Sequence, residues 1–167
     1  MDIFIIKTSE IDNFTEEFLL NFQKKEISNK KTLMTHCLAY AMLDSILREK
    51  YSIENREIVF KTAKPSLKNK EKYFSLSHSA ERIAIAFSDF DCGIDIEKIK
   101  PRDFDAIAAR MNFKCDNLEG FYHEWTNFEA SYKLGKEVLS AYSSPVEDYM
   151  LTAVSSNPEE KFELYIS

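Results

Sequence analysis

Residues 73–98 read YFSLSHSAERIAIAFSDFDCGIDIEK, and the fold turns on this stretch. Three runs, 73–78, 82–88 and 91–97, are rich in β-branched, aromatic and small residues, and they are linked by SAE and by SDFD, whose end residues belong to the runs. That spacing predicts three strands joined closely enough for antiparallel pairing. In the third run, successive side chains point to opposite faces, so Asp95 and Glu97 share one face while Ile94 and Ile96 share the other. Two anions on one face repel. Either that face is open to water, or something positive sits between them.

Outward from this stretch the pattern changes to helical. Apolar residues at Ile11, Phe14, Phe18, Leu19 and Phe22 predict a helix over 10–25, and Leu33, Leu38, Ala41, Met42, Ile46 and Leu47 predict a longer one over 29–50. Residues 2–7 and 58–60 read as strands, 103–112 and 119–136 as helices, and 149–155 and 161–166 as strands. Strand, helices, strands, helices, strands is an α+β order. Each half offers a long helix followed by strands, with the change at 88–91, which suggests two lobes, 1–89 and 90–167, packed as one unit.

Composition limits the function classes. The chain has 167 residues, 44% of them hydrophobic and 13% aromatic, enough for one core or two small packed lobes. Its 22 basic and 28 acidic residues give a net charge of -6, which argues against a general nucleic-acid binder. Lysines nevertheless cluster in KKEISNKK (24–31) and KTAKPSLKNKEK (61–72), either as solvated loops or as a surface for anions. Cysteines at 37, 92 and 115 make no CxxC and no finger spacing, so a reducing cytoplasm is expected. The start, MDIFIIKTSE, reads as neither a signal peptide nor a membrane span. With glycine only at 93, 120 and 135 there is no GxGxxG or GxxxxGK loop, so side chains or a metal must hold any bound phosphate.

Trp125, Glu129 and Lys133 are four residues apart and lie along one face of the 119–136 helix. Alone they read as a packed Trp followed by a surface ion pair. Together with Asp95 and Glu97, Glu129 makes a third oxygen donor, the ligand type that Mg²⁺ or Mn²⁺ accepts while bridging to phosphate. His78 shares a strand face with Phe74 and Leu76, and the Ser77-His78-Ser79 triplet groups donors at a strand end. His36 and His123 have no such company and belong to their helices. A serine-hydrolase reading of Ser77, His78 and Asp95 fails, because strand neighbours point apart and no GxSxG elbow exists. A nuclease reading lacks its usual lysine two residues after the second acid, where Ile99 stands.

In order, KPSL (64–67), FSLSHS (74–79), GIDIEKI (93–99) and WTNFEASYK (125–133) resemble the motifs of the 4′-phosphopantetheinyl transferases, of the surfactin-synthetase-activating, two-lobed type. The resemblance implies two similar lobes in a pseudo-twofold arrangement, each with a helix on a short antiparallel sheet, and a site between them. It implies transfer of the phosphopantetheine arm of coenzyme A to a serine of an acyl or peptidyl carrier protein, as in fatty acid biosynthesis, with release of 3′,5′-ADP. Asp95, Glu97 and Glu129 would bind Mg²⁺ or Mn²⁺. Ser77, His78, Lys64 and Lys31 would hold coenzyme A, Lys133 would approach its pyrophosphate, and Glu129, Lys133 and Asp95 would carry the chemistry. A cytoplasmic monomer with no nucleic-acid or membrane partner is expected. Phe128 replaces a usual lysine, Ala63 a usual glycine, and LGKE lacks a second glycine; Phe128 motivates the alternative of an inactive coenzyme A or carrier-binding module, with a metal-dependent nuclease or phosphohydrolase further off.

Overall fold

The computed structural model describes residues 1–60 and 64–167, apart from the side chain of Ile11, so Lys61 and Ala63 lie outside the described residues. In chain order the elements are β1 (Asp2–Lys7), a 3-10 turn (Thr8–Asn13), α1 (Glu16–Leu20), α2 (Lys30–Glu49), β2 (Ile58–Val59), β3 (Ser66–Leu67) and β4 (Tyr73–Ser79). They continue with β5 (Arg82–Ser88), β6 (Cys92–Lys98), α3 (Asp105–Met111), α4 (Leu118–Leu134), β7 (Ser140–Val146), β8 (Tyr149–Ser155) and β9 (Glu163–Ile166). The architecture is α+β, as its element order predicts.

The long helix forms where its period places it. Asn29 caps α2 by accepting a bond from the Thr32 N–H at 2.9 Å, a contact of about 1 kcal/mol. Its buried Cys37, Leu38, Leu43 and Leu47 cluster with Phe74, Ile83, Ile85 and Phe87 of β4 and β5. Each large side chain taken from water there contributes roughly 1.5–3 kcal/mol. The expected helix over 10–25 is instead broken in two. Thr15, in extended backbone, accepts from the Phe18 N–H and so begins α1 afresh, while Phe14 still stacks on Phe18 and Phe18 meets Phe22 at a tilt, both at 5.4 Å.

Strand pairing departs from the expectation at the third strand. The first sheet has the order β4-β5-β1-β9, so β5 is flanked by β4 on one edge and β1 on the other. With no edge of β5 left, β6 pairs with β8 in a second sheet, β6-β8-β7, and packs across the first one. Ile94 and Ile96 meet Ile3, Ile5, Ala84 and Ala86 in that layer, where the two alanines let the sheets approach. The unforeseen β7 is an edge strand, the place where its Pro145 removes no ladder bond.

The two sheets repeat one topology. A strand, a long helix and a hairpin give β1, α2 and β4–β5 in the first, and β6, α4 and β7–β8 in the second, with orders β4-β5-β1 and β7-β8-β6. β9 then returns from the chain's end to pair in parallel with β1. No helix among the described residues is long and apolar enough to cross a membrane.

Candidate active site

β6 is the centre of the site. Its isoleucines point into the layer between the sheets, which turns Gly93, Asp95 and Glu97 toward α4. α4 is capped by Asn117, whose side chain accepts from the Gly120 N–H at 2.8 Å, and is anchored by Phe121 and Trp125 in an aromatic cluster with Phe104 and Phe113. A buried hydroxyl pair, Thr126 to Thr152 at 2.8 Å, joins it to β8 opposite Asp95. Two turns further on, Lys133 reaches β6.

Asp95 is 4% exposed. Its Oδ1 accepts from Lys133 Nζ at 2.8 Å and from Ser77 Oγ at 2.7 Å, while Oδ2 is buried with no hydrogen-bond partner. An ionised oxygen left bare in the interior is costly, so Oδ2 marks a place that suits a cation. Lys133 Nζ also donates to the Ile94 carbonyl at 3.0 Å. Glu97 accepts from Ser79 Oγ at 2.7 Å, and burial pushes its pKa above the ordinary carboxylate value, helped by the negative charges of Asp95 and Glu129 and opposed by Ser79 and Lys133. Glu129 is half-buried on α4 and near enough to act on Glu97. The structure thus gathers Asp95, Glu97, Glu129 and Lys133 into one electrostatic group. Among the described residues, however, no three His, Cys, Asp or Glu side chains stand as a ready metal cage.

The anion-facing candidates lie around this group at different distances. His78 is exposed near the end of β4; the protein around it, then Lys133 and Lys25, hold its pKa below the usual value against a smaller opposing pull from Asp95. The Ser77 hydroxyl is turned to Asp95, so as it stands its proton serves the acid and not an anion. Lys64 Nζ donates to the Cys92 carbonyl at the start of β6, which brings KPSL to the acidic strand. Lys31, exposed in the first turn of α2, lines an open pocket of ≈ 370 Å³ with Lys7, Arg82 and Glu81, at the turn between β4 and β5. Lys98 is bound by Glu81 and Asp148 at 3.0 and 3.3 Å, away from the acids, which further weakens a nuclease arrangement. Phe128 is exposed on the outer side of α4, with its ring 6.2 Å from that of Phe113.

Two features were missed from the sequence. One is the bond of Ser79 to Glu97, for which the alternation of serines in FSLSHS was the available signal. The other is His36, assigned only to its helix. It is buried 4.8 Å from the Tyr40 ring, and its Nε2 accepts from the Lys24 N–H at 3.3 Å. Burial, then Lys25, His78 and Lys24, push its pKa down from 6.5 to about 4. Below 6.5 the unfolded chain takes up a proton that the native ring refuses, so this contribution is full above pH 6.5 and is lost as pH falls through 4. Urea unfolding at pH 7 and pH 4 should show a loss of on the order of 2–3 kcal/mol from this group. His36→Gln should remove that part of the slope, and an unaltered slope would show that the ring is not held neutral.

No protein-family model matches the chain. It is similar to the 4′-phosphopantetheinyl transferase psf-1 of Bacillus pumilus, with 34% identity over 124 residues, covering 64% of this chain and 52% of that protein. It is also similar to the 4′-phosphopantetheinyl transferase Sfp of Bacillus subtilis strain 168, with 29% identity over 118 residues, covering 62% of this chain and 52% of that protein. The same holds for the 4′-phosphopantetheinyl transferase ffp of Bacillus subtilis, 29% identical over 120 residues. The chain spans about half the length of the curated relatives it matches. The chain that carries KPSL, FSLSHS, GIDIEKI and WTNFEASYK is thus similar in sequence, over part of its length, to three 4′-phosphopantetheinyl transferases.

Proposed function

We propose that this chain transfers the 4′-phosphopantetheine arm of coenzyme A to a serine of an acyl or peptidyl carrier protein and releases 3′,5′-ADP. The supporting observation is the buried Asp95 carboxylate, with a bare Oδ2, inside a group that also holds Glu97, Glu129, Lys133 and His78. In this reading residues 1–89 and 90–167 are the two lobes and the site lies between them. It works as a cytoplasmic monomer whose partners are coenzyme A and a carrier, without nucleic acid or membrane.

Asp95, Glu97 and Glu129 would hold Mg²⁺ or Mn²⁺. Such an ion, when bound, neutralises charge on the pyrophosphate oxygens. The chain's own side chains do the remaining work. The carrier serine oxygen forms a bond to the β-phosphorus, and the bond from that phosphorus to the leaving phosphate of 3′,5′-ADP breaks. Glu129 accepts the serine proton. Lys133, released from Asp95, follows the charge that builds on the phosphoryl oxygens, and an N–H of His78 supports the same oxygens. Lys31 and Lys64 hold the nucleotide end, which no glycine-rich loop is present to cradle.

The test is incubation with coenzyme A, Mg²⁺ and a panel of apo-carriers, read by intact mass. A carrier that gains one phosphopantetheine arm supports transfer. Binding of coenzyme A with no carrier ever modified would instead make the chain a binding module, and hydrolysis of coenzyme A without transfer would favour a phosphohydrolase.

A further inference from the structure

Three serines of β4, Ser75, Ser77 and Ser79, share one strand face and lie in order along the free edge of β6. Each meets β6 differently. Ser75 Oγ accepts from the Ile94 N–H at 3.2 Å, Ser77 Oγ donates to Asp95 Oδ1 at 2.7 Å, and Ser79 Oγ donates to Glu97 Oε2 at 2.7 Å while accepting from the Lys98 N–H at 3.2 Å. Ser79 is thus fixed at both ends. The rigid backbone donor of Lys98 takes a lone pair of its hydroxyl and leaves its proton aimed at the carboxylate. A charge-assisted O–H···O⁻ bond of this length is among the stronger hydrogen bonds a neutral side chain can make. It crosses from the first sheet to the second, so the orientation of Glu97 is set by a strand outside its own sheet.

We propose that Ser79 is a positioning residue that holds Glu97 in the geometry a divalent cation needs, an inference that rests on reading Glu97 as a metal carboxylate. Ser75 supplies an internal control. It lies on the same strand and face, is 2% exposed, and bonds only to backbone on β6. A purely structural role for the serine ladder would make the two serines equivalent. A positioning role separates them.

The experiment follows Mn²⁺ binding to the full chain in the presence of coenzyme A by electron paramagnetic resonance, together with thermal unfolding and steady-state transfer. Ser79→Ala should weaken Mn²⁺ about tenfold, the usual scale for loss of a group that orients a ligand. The KM for Mg²⁺ should rise by the same factor while the KM for coenzyme A stays put. Ser79→Thr keeps the hydroxyl and should retain affinity to within about threefold. Ser75→Ala should lower the melting temperature without changing Mn²⁺ affinity. Equal Mn²⁺ affinity in Ser79→Ala and wild type, or equal weakening in Ser75→Ala, overturns the proposal. Glu97→Gln tests the underlying reading separately: if it binds Mn²⁺ as wild type does, or if wild type binds none, Glu97 is not a ligand and the inference falls with that reading.

Discussion

Under the proposed function, Asp95→Asn is expected to lower carrier modification by about 10³-fold and to leave the fold about as stable as before. The first half follows from charge. Asparagine has nearly the shape of aspartate, so Ser77 and Lys133 can still bond its Oδ1, but the side chain no longer offers an anion to a cation or to a mobile ammonium. Removing one preorganised electrostatic contact from a buried catalytic site costs about 10²–10³ in rate, and under the proposed function, in which Asp95 serves both a metal and Lys133, the loss falls at the upper end. The second half follows from Oδ2, which is buried without a partner. A neutral amide at that place carries no negative charge to be desolvated or to repel Glu97 and Glu129. Against this stands the loss of the ion pair to Lys133, whose side chain is 26% exposed and stays hydrated. The net change should be within about 1 kcal/mol. Intact-mass assays and urea unfolding on the same preparation check both halves. A variant that still transfers at a tenth of the wild-type rate would remove Asp95 from its assigned role, and one that unfolds would overturn the stability half.

How much of this was legible in the sequence depends on how local the determining contacts are. α2 was legible because its period, its Asn29 cap and its Lys50 end all lie within one stretch. The β4–β5 hairpin was legible for the same reason. The partner of β6 was not, because it depends on β1 having already taken the second edge of β5, a pairing across some eighty residues. The helix expected over 10–25 failed on one side chain, since Thr15 can satisfy the Phe18 N–H and a periodic count of apolar residues does not register that. β7 carries serines and a proline and gives no strand signal, although an edge position tolerates both.

The site divides in the same way. Asp95, Glu97, Glu129 and Lys133 could be grouped from strand parity, helical spacing and motif order, and the structure places all four in one electrostatic neighbourhood. What spacing could not supply is the direction of each proton. Ser77 is turned to Asp95, and Ser79, noted only as one donor of a triplet, is bonded to Glu97. Both contacts join strands of different sheets, so they exist only once the two sheets have packed. In FSLSHS the serines alternate with Phe74 and Leu76, a pattern that marks a small polar face on β4. It could not say that an acidic strand would lie against it.

Gly93→Ala is expected to disable the site from behind. A Cβ at Gly93 would stand 2.0 Å from the Ala130 carbonyl oxygen, 2.9 Å from its carbon and 3.0 Å from the Leu134 nitrogen. All three are backbone atoms of α4, so no side chain can rotate away, and either the helix or the strand must shift. The interface has little slack. Ala130, Leu134 and Val154 are packed together at that point, and Ile94 and Ile96 hold the other face of β6 against the first sheet. Forcing one methyl into such a contact costs about 3 kcal/mol, the upper end of the overpacking range, which for a chain of this size lowers Tm by roughly 6–12 °C. The activity loss should exceed the fraction unfolded. Displacing α4 by an ångström draws Lys133 from Asp95 and Glu129 from Glu97, and misplacement of that size can cost about 10²-fold in rate. Assays well below the variant's own Tm separate the two effects: a folded Gly93→Ala chain with a rate close to wild type would show that the approach of α4 to β6 does not set the geometry of the acids.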